Sequence, residues 1–579
     1  MIVPIILLLI AATAAIEYDY IIVGGGTSGL VVANRLSENP DISVLIIEAG
    51  PSVLHNINVT DVDRYSYAFD TEIEWAYETI PQEFGGRSQI LRAARALGGT
   101  STINGLAYVR SEDVQIDAWQ EIGNEGWTWA NLLPYYLKSE NFTVPDSKQI
   151  EAGATYTPNY HNSNGPVQVS FKHMEKKAND LTSVLNRTFD SLGLPWNQDL
   201  NEGHLRGFTF HPYTIDADEY VRHDAARAYY WPYAARDNLH VKLNTFVNRI
   251  VWRGERDGDD ISAAGVEVAG DDGVSRFNAK RDVILAAGSL RSPAILELSG
   301  VGNPSILEQY DIPVRINLPT VGENLQEQLN TSMIATTNTP MTGSRTVAFA
   351  SVSDIFGDSA SDIAALTRAH LPKYANITAT ASSGTMKADH LQQLFETQHD
   401  LIFKDNIPIA EYIFTAGEKD FQAGYWGLLP FARGNVHITS ADPAVKPAIN
   451  PNYGMIDWDV EIQIAMSRYI RSMYRTKPLS QFIRNETLPG LGVVPEDASD
   501  GVWTDWVKEQ YTPNYHPIGT AAMLPRSMGG VVDNKLKVYG TTNLRVVDAS
   551  IHPLQLCGHP MSNLYAIAER LSDLMKEEM

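Results

Sequence analysis

A mixed α/β fold, built on a parallel βαβ core that recurs in separated pieces of the chain, follows from three features of the sequence. The first is a unit near the N-terminus that reads as strand, glycine turn, helix and strand. The second is a return of short apolar strands from 239 to 287 and again near the C-terminus. The third is a pair of long stretches, roughly 115 to 225 and 325 to 530, with mixed patterns rich in Trp and Tyr. This spacing predicts one discontinuous core interrupted by a second region that shapes a site.

The chain has 579 residues, 44 % of them apolar, with 11 Trp, 26 Tyr and 17 Phe. That content excludes both a mini-scaffold and a disordered chain. Acidic residues outnumber basic ones 69 to 45, a net charge of -24, which repels nucleic acid and anionic lipid and argues against both as partners. Cys557 is the one cysteine. No internal disulfide and no cysteine-held zinc or iron-sulfur cluster can form, and no metal is expected. Residues 2–15, IVPIILLLIAATAA, are apolar apart from Thr13 and end in small residues, so 1–15 reads as a secretory signal peptide. As a helix the run would span ~21 Å against a hydrocarbon core of ~30 Å, too short for a permanent membrane span. The N-x-Ser/Thr sequons at Asn58, Asn141, Asn186, Asn330, Asn376 and Asn485 agree with a secreted, glycosylated protein.

Taken in order, Tyr20 to Val23 is an apolar strand, Gly24 to Gly26 a turn, Leu30 to Leu36 a helix stopped by Pro40, and Ser43 to Ile47 a second apolar strand. Within VGGGTSG, the glycines Gly24, Gly26 and Gly29 form G-x-G-x-x-G. Gly24 permits the tight turn, Gly26 lets the backbone approach a pyrophosphate, and Gly29 lets helix and strand pack closely. Thr27 and Ser28 lie where the helix N-terminus presents unpaired N–H groups to phosphates. Glu48, at the end of the second strand, can accept hydrogen bonds from a ribose diol. A dinucleotide is expected, with NAD and FAD both open. Farther on, 239 to 287 reads as several short strands separated by DGDD and GDDG turns and closing on Val283 to Ala286. The C-terminus adds a strand, Leu544 to Val547, and a helix from about Met561 to Met575.

Three further segments decide between the two dinucleotides. RAARALGGTSTIN (Arg92 to Asn104) is a glycine-rich loop, GSLRSPAILELSGVG (Gly288 to Gly302) follows a strand and begins a helix, and NYHPIGT (Asn514 to Thr520) is joined by VVDASIHPLQLCGHP (Val546 to Pro560). With these, the chain from about Tyr18 onward resembles the glucose-methanol-choline family of flavin oxidoreductases, and within it the fungal FAD-dependent glucose dehydrogenases and glucose oxidases. The resemblance implies FAD as cofactor. It implies a Rossmann-like FAD-binding domain in three parts, 16–114, 226–324 and 531–579, and an inserted substrate-binding domain with an antiparallel sheet in two, 115–225 and 325–530. By the same resemblance, cofactor contacts come from Gly99, Thr100, Ser101, Asn104 and Gly105, from Val247 at the adenine, from Asp548 and Ala549, and from Pro560 and Met561. Ser289 and Pro293 belong to a second phosphate-side segment.

Alcohol oxidation by a flavin needs a base for the hydroxyl proton and a hydride acceptor for the carbon. Histidine suits the first task because its ordinary pKa lies near neutrality, and a positioned base is worth ~10²- to 10⁴-fold in rate. Of the 14 histidines, His516, His552 and His559 each precede a proline near the C-terminus. The residues alone leave all three open. The resemblance implies His516 as base and His559 as its partner on the substrate oxygen, whereas His552 has no counterpart and is expected at a structural or surface position. It also implies Asn514, Tyr65 and Trp426 as substrate contacts. In an extended segment Asn514 and His516 would share a face. Two positions depart from the glucose-active pattern: Thr512 stands where those relatives carry an arginine, and Gly424 where they carry an acid. The expected substrate therefore widens from a sugar to another small alcohol, including one of specialised metabolism, with oxygen, a quinone or another group as electron acceptor. The alternative class is a flavin-fold lyase or cyclase in which the histidines do acid-base work alone. Cys557 is expected to be a buried apolar thiol.

Overall fold

The computed structural model describes residues 17–579 except 175, 177–178, 258–259 and 271–272, with the side chains of 255–257 also left out. The expected leader at 1–15 lies outside the described residues. No helix among the described residues is long and apolar enough to cross a membrane.

Short runs of Val, Ile and Leu without polar interruption suit strands buried on both faces of a parallel sheet. Five strands line up in the order Leu239–Lys242, Val44–Ile47, Tyr20–Val23, Val283–Leu285 and Leu544–Val546. Their pairings are all parallel, and Val283 lies beside both Ile21 and Leu544. The first helix runs Thr27–Leu36 and begins earlier than its apolar pattern, because Gly26 serves as N-cap and the first turn starts at once. The last helix, Pro560–Glu577, packs against it, with Arg35 joined to the buried Glu569 at 2.7 Å.

Beside the parallel sheet, the strands Phe246–Asp257, Asp260–Gly270 and Gly273–Ala279 form antiparallel hairpins much longer than the expected short strands. The ladders run out to the pairs Asp257–Asp260 and Gly270–Gly273, the outer residues of the DGDD and GDDG signals. A seven-stranded sheet is wholly antiparallel, in the order Ile483–Leu488, Leu329–Thr337, Asp420–Gly427, Pro408–Ala416, Thr346–Ser351 and Gly207–Thr209, with Thr512–Pro513 paired to Leu329–Thr337. The helix Asp457–Arg475 covers part of it. The fold is thus mixed α/β with an antiparallel sheet, as the sequence predicts.

One buried charge cluster makes stability depend on pH. His161 bridges Glu140 at 3.0 Å and Asp199 at 2.8 Å and stacks on Phe142 at 3.9 Å, while Arg110 meets Glu140 at 3.1 Å. Burial opposes charging of the imidazole, but the two carboxylates outweigh it and push His161 up to about 9. A histidine raised above its unfolded value contributes stability that is complete below about pH 6.5 and lost as pH climbs through the folded value. Between pH 6.5 and 9.5 this group is expected to cost roughly 3 kcal/mol, on the scale of about 1.4 kcal/mol per pH unit. Urea unfolding across that range should show the loss in the wild type and a shallower decline in His161→Asn.

Candidate active site

The glycines of the first turn divide by what surrounds them. Gly24 has φ +105, and a Cβ there would lie 2.4 Å from the Ala286 carbonyl oxygen; one on Gly29 would lie 2.2 Å from the Gly24 carbonyl oxygen. Both are closed off by protein backbone. Gly26 has an extended φ of -92, and the nearest atom to its added Cβ is Gly99 Cα at 3.7 Å. An alanine methyl there would meet ordinary van der Waals contact and no clash. No side chain caps the helix that begins at Thr27, and the buried Ser28 hydroxyl has no partner. The second glycine loop packs directly on the first, since Gly99, at φ +55, would place a Cβ 2.5 Å from Gly26 Cα. Across from them Gly288, at φ +84, has nothing within 4 Å of an added Cβ, and the adjacent Ser289 hydroxyl is buried without a partner. Backbone cradles with room, uncapped N–H groups and orphan hydroxyls are what a pyrophosphate would fill. The donor set fits FAD.

Glu48 closes this end. Its carboxylate accepts the Gly25 N–H at 2.9 Å and the Gly50 N–H at 2.8 Å, and burial pushes it up to about 7 against those donors. Not every expected cofactor residue offers a free side chain. Thr100 accepts the Ala94 N–H, and Ser101 donates to the Gly98 carbonyl at 2.6 Å and accepts the Ala225 N–H at 2.9 Å. Asp548 accepts from Gly288 N–H, from the Ser292 hydroxyl at 2.6 Å and from both the N–H and hydroxyl of Ser550. These three bind the loops together, leaving backbone rather than side chain to face a ligand. Ala549 accepts Gly519 N–H, and Val247 sits buried at a bulge in its hairpin. Asn104 accepts from the buried Arg222 at 2.7 Å and donates to the Met561 sulfur at 3.1 Å, in the first turn of the helix that Pro560 opens. A Cβ added at Gly105 would lie 4.0 Å from the Tyr65 ring. No motif in the sequence marks Arg222, which burial pushes down to about 10.

His516 and His559 come together edge to face, ring centroids 5.3 Å apart. Burial holds His516 well below the usual histidine range, with the His559 charge adding to the effect. Its Nδ1 lies 3.0 Å from Gln328 Oε1 and 3.0 Å from Asn514 Nδ2. Asn514 and His516 do converge, but not as an extended pair. Tyr515 between them sits at φ +66, a left-handed position that costs a non-glycine residue about 1–2 kcal/mol and is characteristic of functional sites. His559 Nε2 donates to Glu411 Oε1 at 3.0 Å. Glu411 is a fully buried acid in the central strand Pro408–Ala416; a charge inside so apolar a run, PIAEYIFTA, was the available signal for it. The Trp426 ring stands 6.3 Å from His559, and its buried indole N–H has no partner. Tyr65 meets Phe69 edge to face at 5.5 Å, and Phe69 meets Tyr515 edge to face at 6.3 Å.

The remaining positions sort by burial. Asn330 is half-buried, and its Nδ2 donates to Asn514 Oδ1 at 2.9 Å. It belongs to the site's polar array, because strand Leu329–Thr337 carries it beside Thr512–Pro513. Asn376 and Asn485 are exposed, whereas Asn58, Asn141 and Asn186 are half-buried. His552 is fully buried with both ring nitrogens unpartnered, and burial pushes it down to about 3. Cys557 is buried, its thiol directed at the Pro408 carbonyl at 3.1 Å.

Known proteins align with this arrangement over nearly the whole chain. Two family models described as GMC oxidoreductase match, one over residues 18–330 and the other over 430–568. The chain is 42 % identical to the glucose oxidase-like protein fsoC of Humicola fuscoatra over 570 residues, 98 % of this chain and 96 % of that protein. It is 36 % identical to a glucose oxidase of Aspergillus carbonarius over 569 residues, 97 % of this chain and 93 % of that one. Among solved structures, a fungal aryl-alcohol oxidase superposes with a TM-score of 0.88 at 27 % identity, and an FAD-dependent oxidoreductase from Chaetomium thermophilum with 0.87 at 29 %, each covering 97 % of this chain and 99 % of the other.

Proposed function

The chain belongs to the GMC oxidoreductase family as an FAD-dependent alcohol or sugar oxidoreductase, and from that premise we propose that it oxidises the CH–OH group of a small alcohol with an apolar body. The carrying observation is the histidine pair: His516 Nε2 and His559 Nδ1 have no protein partner among the described residues, while the opposite nitrogen of each ring is held. His516, neutral at physiological pH because burial depresses it, takes the hydroxyl proton at Nε2. His559, anchored through Glu411, offers Nδ1 to the same oxygen and restrains it as charge develops. Bound FAD supplies the hydride acceptor for the carbon. Gly26, Gly288, Ser28, Ser289 and Glu48 would hold its phosphates and ribose.

Two features favour an apolar-bodied alcohol over glucose. Asn514 has its oxygen engaged by Asn330 and an N–H engaged by Gln328 at 2.8 Å, so it has little left for a sugar hydroxyl. Aromatic rings stand beside the pair: Trp426 meets His559 edge to face, and Tyr65 and Phe69 lead to Tyr515, the residue before His516. Each missing sugar hydrogen bond is worth about 1 kcal/mol. We also read the chain as secreted, a reading supported by the leader-like run at 2–15, the net charge of -24 and the exposed sequons at Asn376 and Asn485.

Anaerobic titration of the holoenzyme with sugars and with aryl and aliphatic alcohols, followed by flavin absorbance and then re-oxidation by air or quinone, tests this. Aryl or aliphatic alcohols should bleach the flavin faster than glucose does. Turnover with no bleaching by any substrate would overturn the redox reading in favour of acid-base chemistry alone.

A further inference from the structure

We propose that Gln328 is the positioning residue that keeps the proton of the neutral His516 ring on Nδ1, and so keeps Nε2 as the basic nitrogen. The proposal rests on the reading of His516 as the base. It begins at a group whose polarity cannot change: the Leu428 backbone carbonyl, which only accepts, receives Gln328 Nε2–H at 2.9 Å. A carboxamide held by its nitrogen must present its oxygen at the other end. Gln328 Oε1 therefore faces Asn514 Nδ2 at 2.8 Å and His516 Nδ1 at 3.0 Å. Because the carbonyl sets the direction, this orientation follows from hydrogen-bond chemistry and not from the choice of which amide atom is nitrogen.

Two partners compete for His516 Nδ1. Gln328 Oε1 demands a proton there, whereas Asn514 Nδ2, also 3.0 Å away, could donate to a bare Nδ1 and leave the proton on Nε2. Gln328 settles how Asn514 is turned: its Oε1 only accepts, so Asn514 presents Nδ2 inward, and Asn514 Oδ1 then accepts from Asn330 Nδ2. Asn514 then has Gln328 Oε1 as the acceptor for one N–H, and Gln328 Oε1 has a second lone pair for the imidazole. A carbonyl, three amides and one imidazole thus run with a single polarity. With the proton on Nε2, that N–H would have no acceptor among the described residues, and the base would be blocked. The titratable groups around the ring are few. His559 stands across from it, with Glu411 behind. Glu327, beneath the loop, accepts the Asn514 backbone N–H at 3.2 Å and is pushed up to about 8 by burial. His211 lies 6.1 Å beyond His559. None of them contacts Nδ1, so Gln328 governs it.

The test is long-range ¹H–¹⁵N correlation on the oxidised holoenzyme labelled with ¹⁵N-histidine, the His516 signals being those absent from His516→Gln, together with the pH profile of anaerobic flavin reduction. Wild type should show the Nδ1–H form. Gln328→Met, close in shape but without an acceptor, should shift His516 toward Nε2–H and slow reduction by about 10- to 100-fold, less than loss of the base itself. Gln328→Glu should retain Nδ1–H, attract a second proton to the ring and move the acidic limb of the profile to higher pH. An Nε2–H signal in wild type, or a Gln328→Met enzyme with the wild-type tautomer and profile, would overturn the proposal. The wild-type spectrum alone suffices if the variants do not fold. If instead His516→Gln reduces its flavin normally, the base assignment fails, whatever Gln328 does.

Discussion

Replacing His516 with alanine should slow anaerobic reduction of the flavin by alcohol about 10²- to 10⁴-fold, the usual worth of a positioned general base. The protein should remain folded and yellow. Expected persistence of the cofactor follows from position, because His516 touches Gln328 and Asn514 rather than the glycine turns. The pH dependence has a definite sign. Burial lowers the folded pKa of His516, so the imidazole stays neutral and competent throughout the physiological range. The wild-type rate should accordingly show no loss from this group between pH 6 and 8, and should fall only in more acidic solution. Stopped-flow absorbance under anaerobic conditions reads both effects. A variant that bleaches at the wild-type rate would remove His516 from the chemistry.

Two alanine substitutions only three positions apart should fail in opposite ways. In Gly29→Ala the new methyl carbon meets the Gly24 carbonyl oxygen at 2.2 Å, an atom of a tight backbone turn that cannot move aside, so the helix and strand must separate. Loss of soluble, folded protein is expected even without cofactor. In Gly26→Ala the φ of -92 is ordinary for alanine and the nearest atom is 3.7 Å away. The apoprotein should fold and melt as the wild type does. Its methyl group, however, would occupy the space through which the pyrophosphate approaches the N–H groups of Thr27 and Ser28. Losing one charge-assisted hydrogen bond costs about 1.5–3 kcal/mol, or roughly 10- to 100-fold in FAD affinity. Apoprotein melting temperature and FAD titration by fluorescence separate the two outcomes, and equal behaviour of the two variants would remove the distinction between packing glycine and cofactor glycine.

The cofactor end was legible from local sequence because its logic is local. A turn that admits only glycine, a helix that begins beside it and an acid at the next strand's end all fall between Gly24 and Glu48, where spacing along the chain is spacing in space. The two histidines proposed for catalysis were singled out only through resemblance, since three His-Pro dipeptides look alike until burial separates them. His552 sits against Trp119 at 5.4 Å, remote from the His516 and His559 rings in its contacts. Asn330 shows the limit from the other side. The local sequence shows only a sequon there; its antiparallel strand brings the same amide to Asn514.

By itself, then, the sequence determined the mixed α/β class, the dinucleotide turn and, through its signature segments, the family and FAD. Only the tertiary structure decided which polar side chains gather around His516 and His559. Gln328 and Asn330, neighbours at the start of one strand, lie far along the chain from Glu411, and all three lie far from His516 and His559. Antiparallel pairing of Leu329–Thr337, Asp420–Gly427 and Pro408–Ala416 brings them to one place. Hydrogen-bond polarity is a property of such an assembled set: a backbone carbonyl in one segment sets an amide in another, and that amide selects the nitrogen at which a histidine can take a proton.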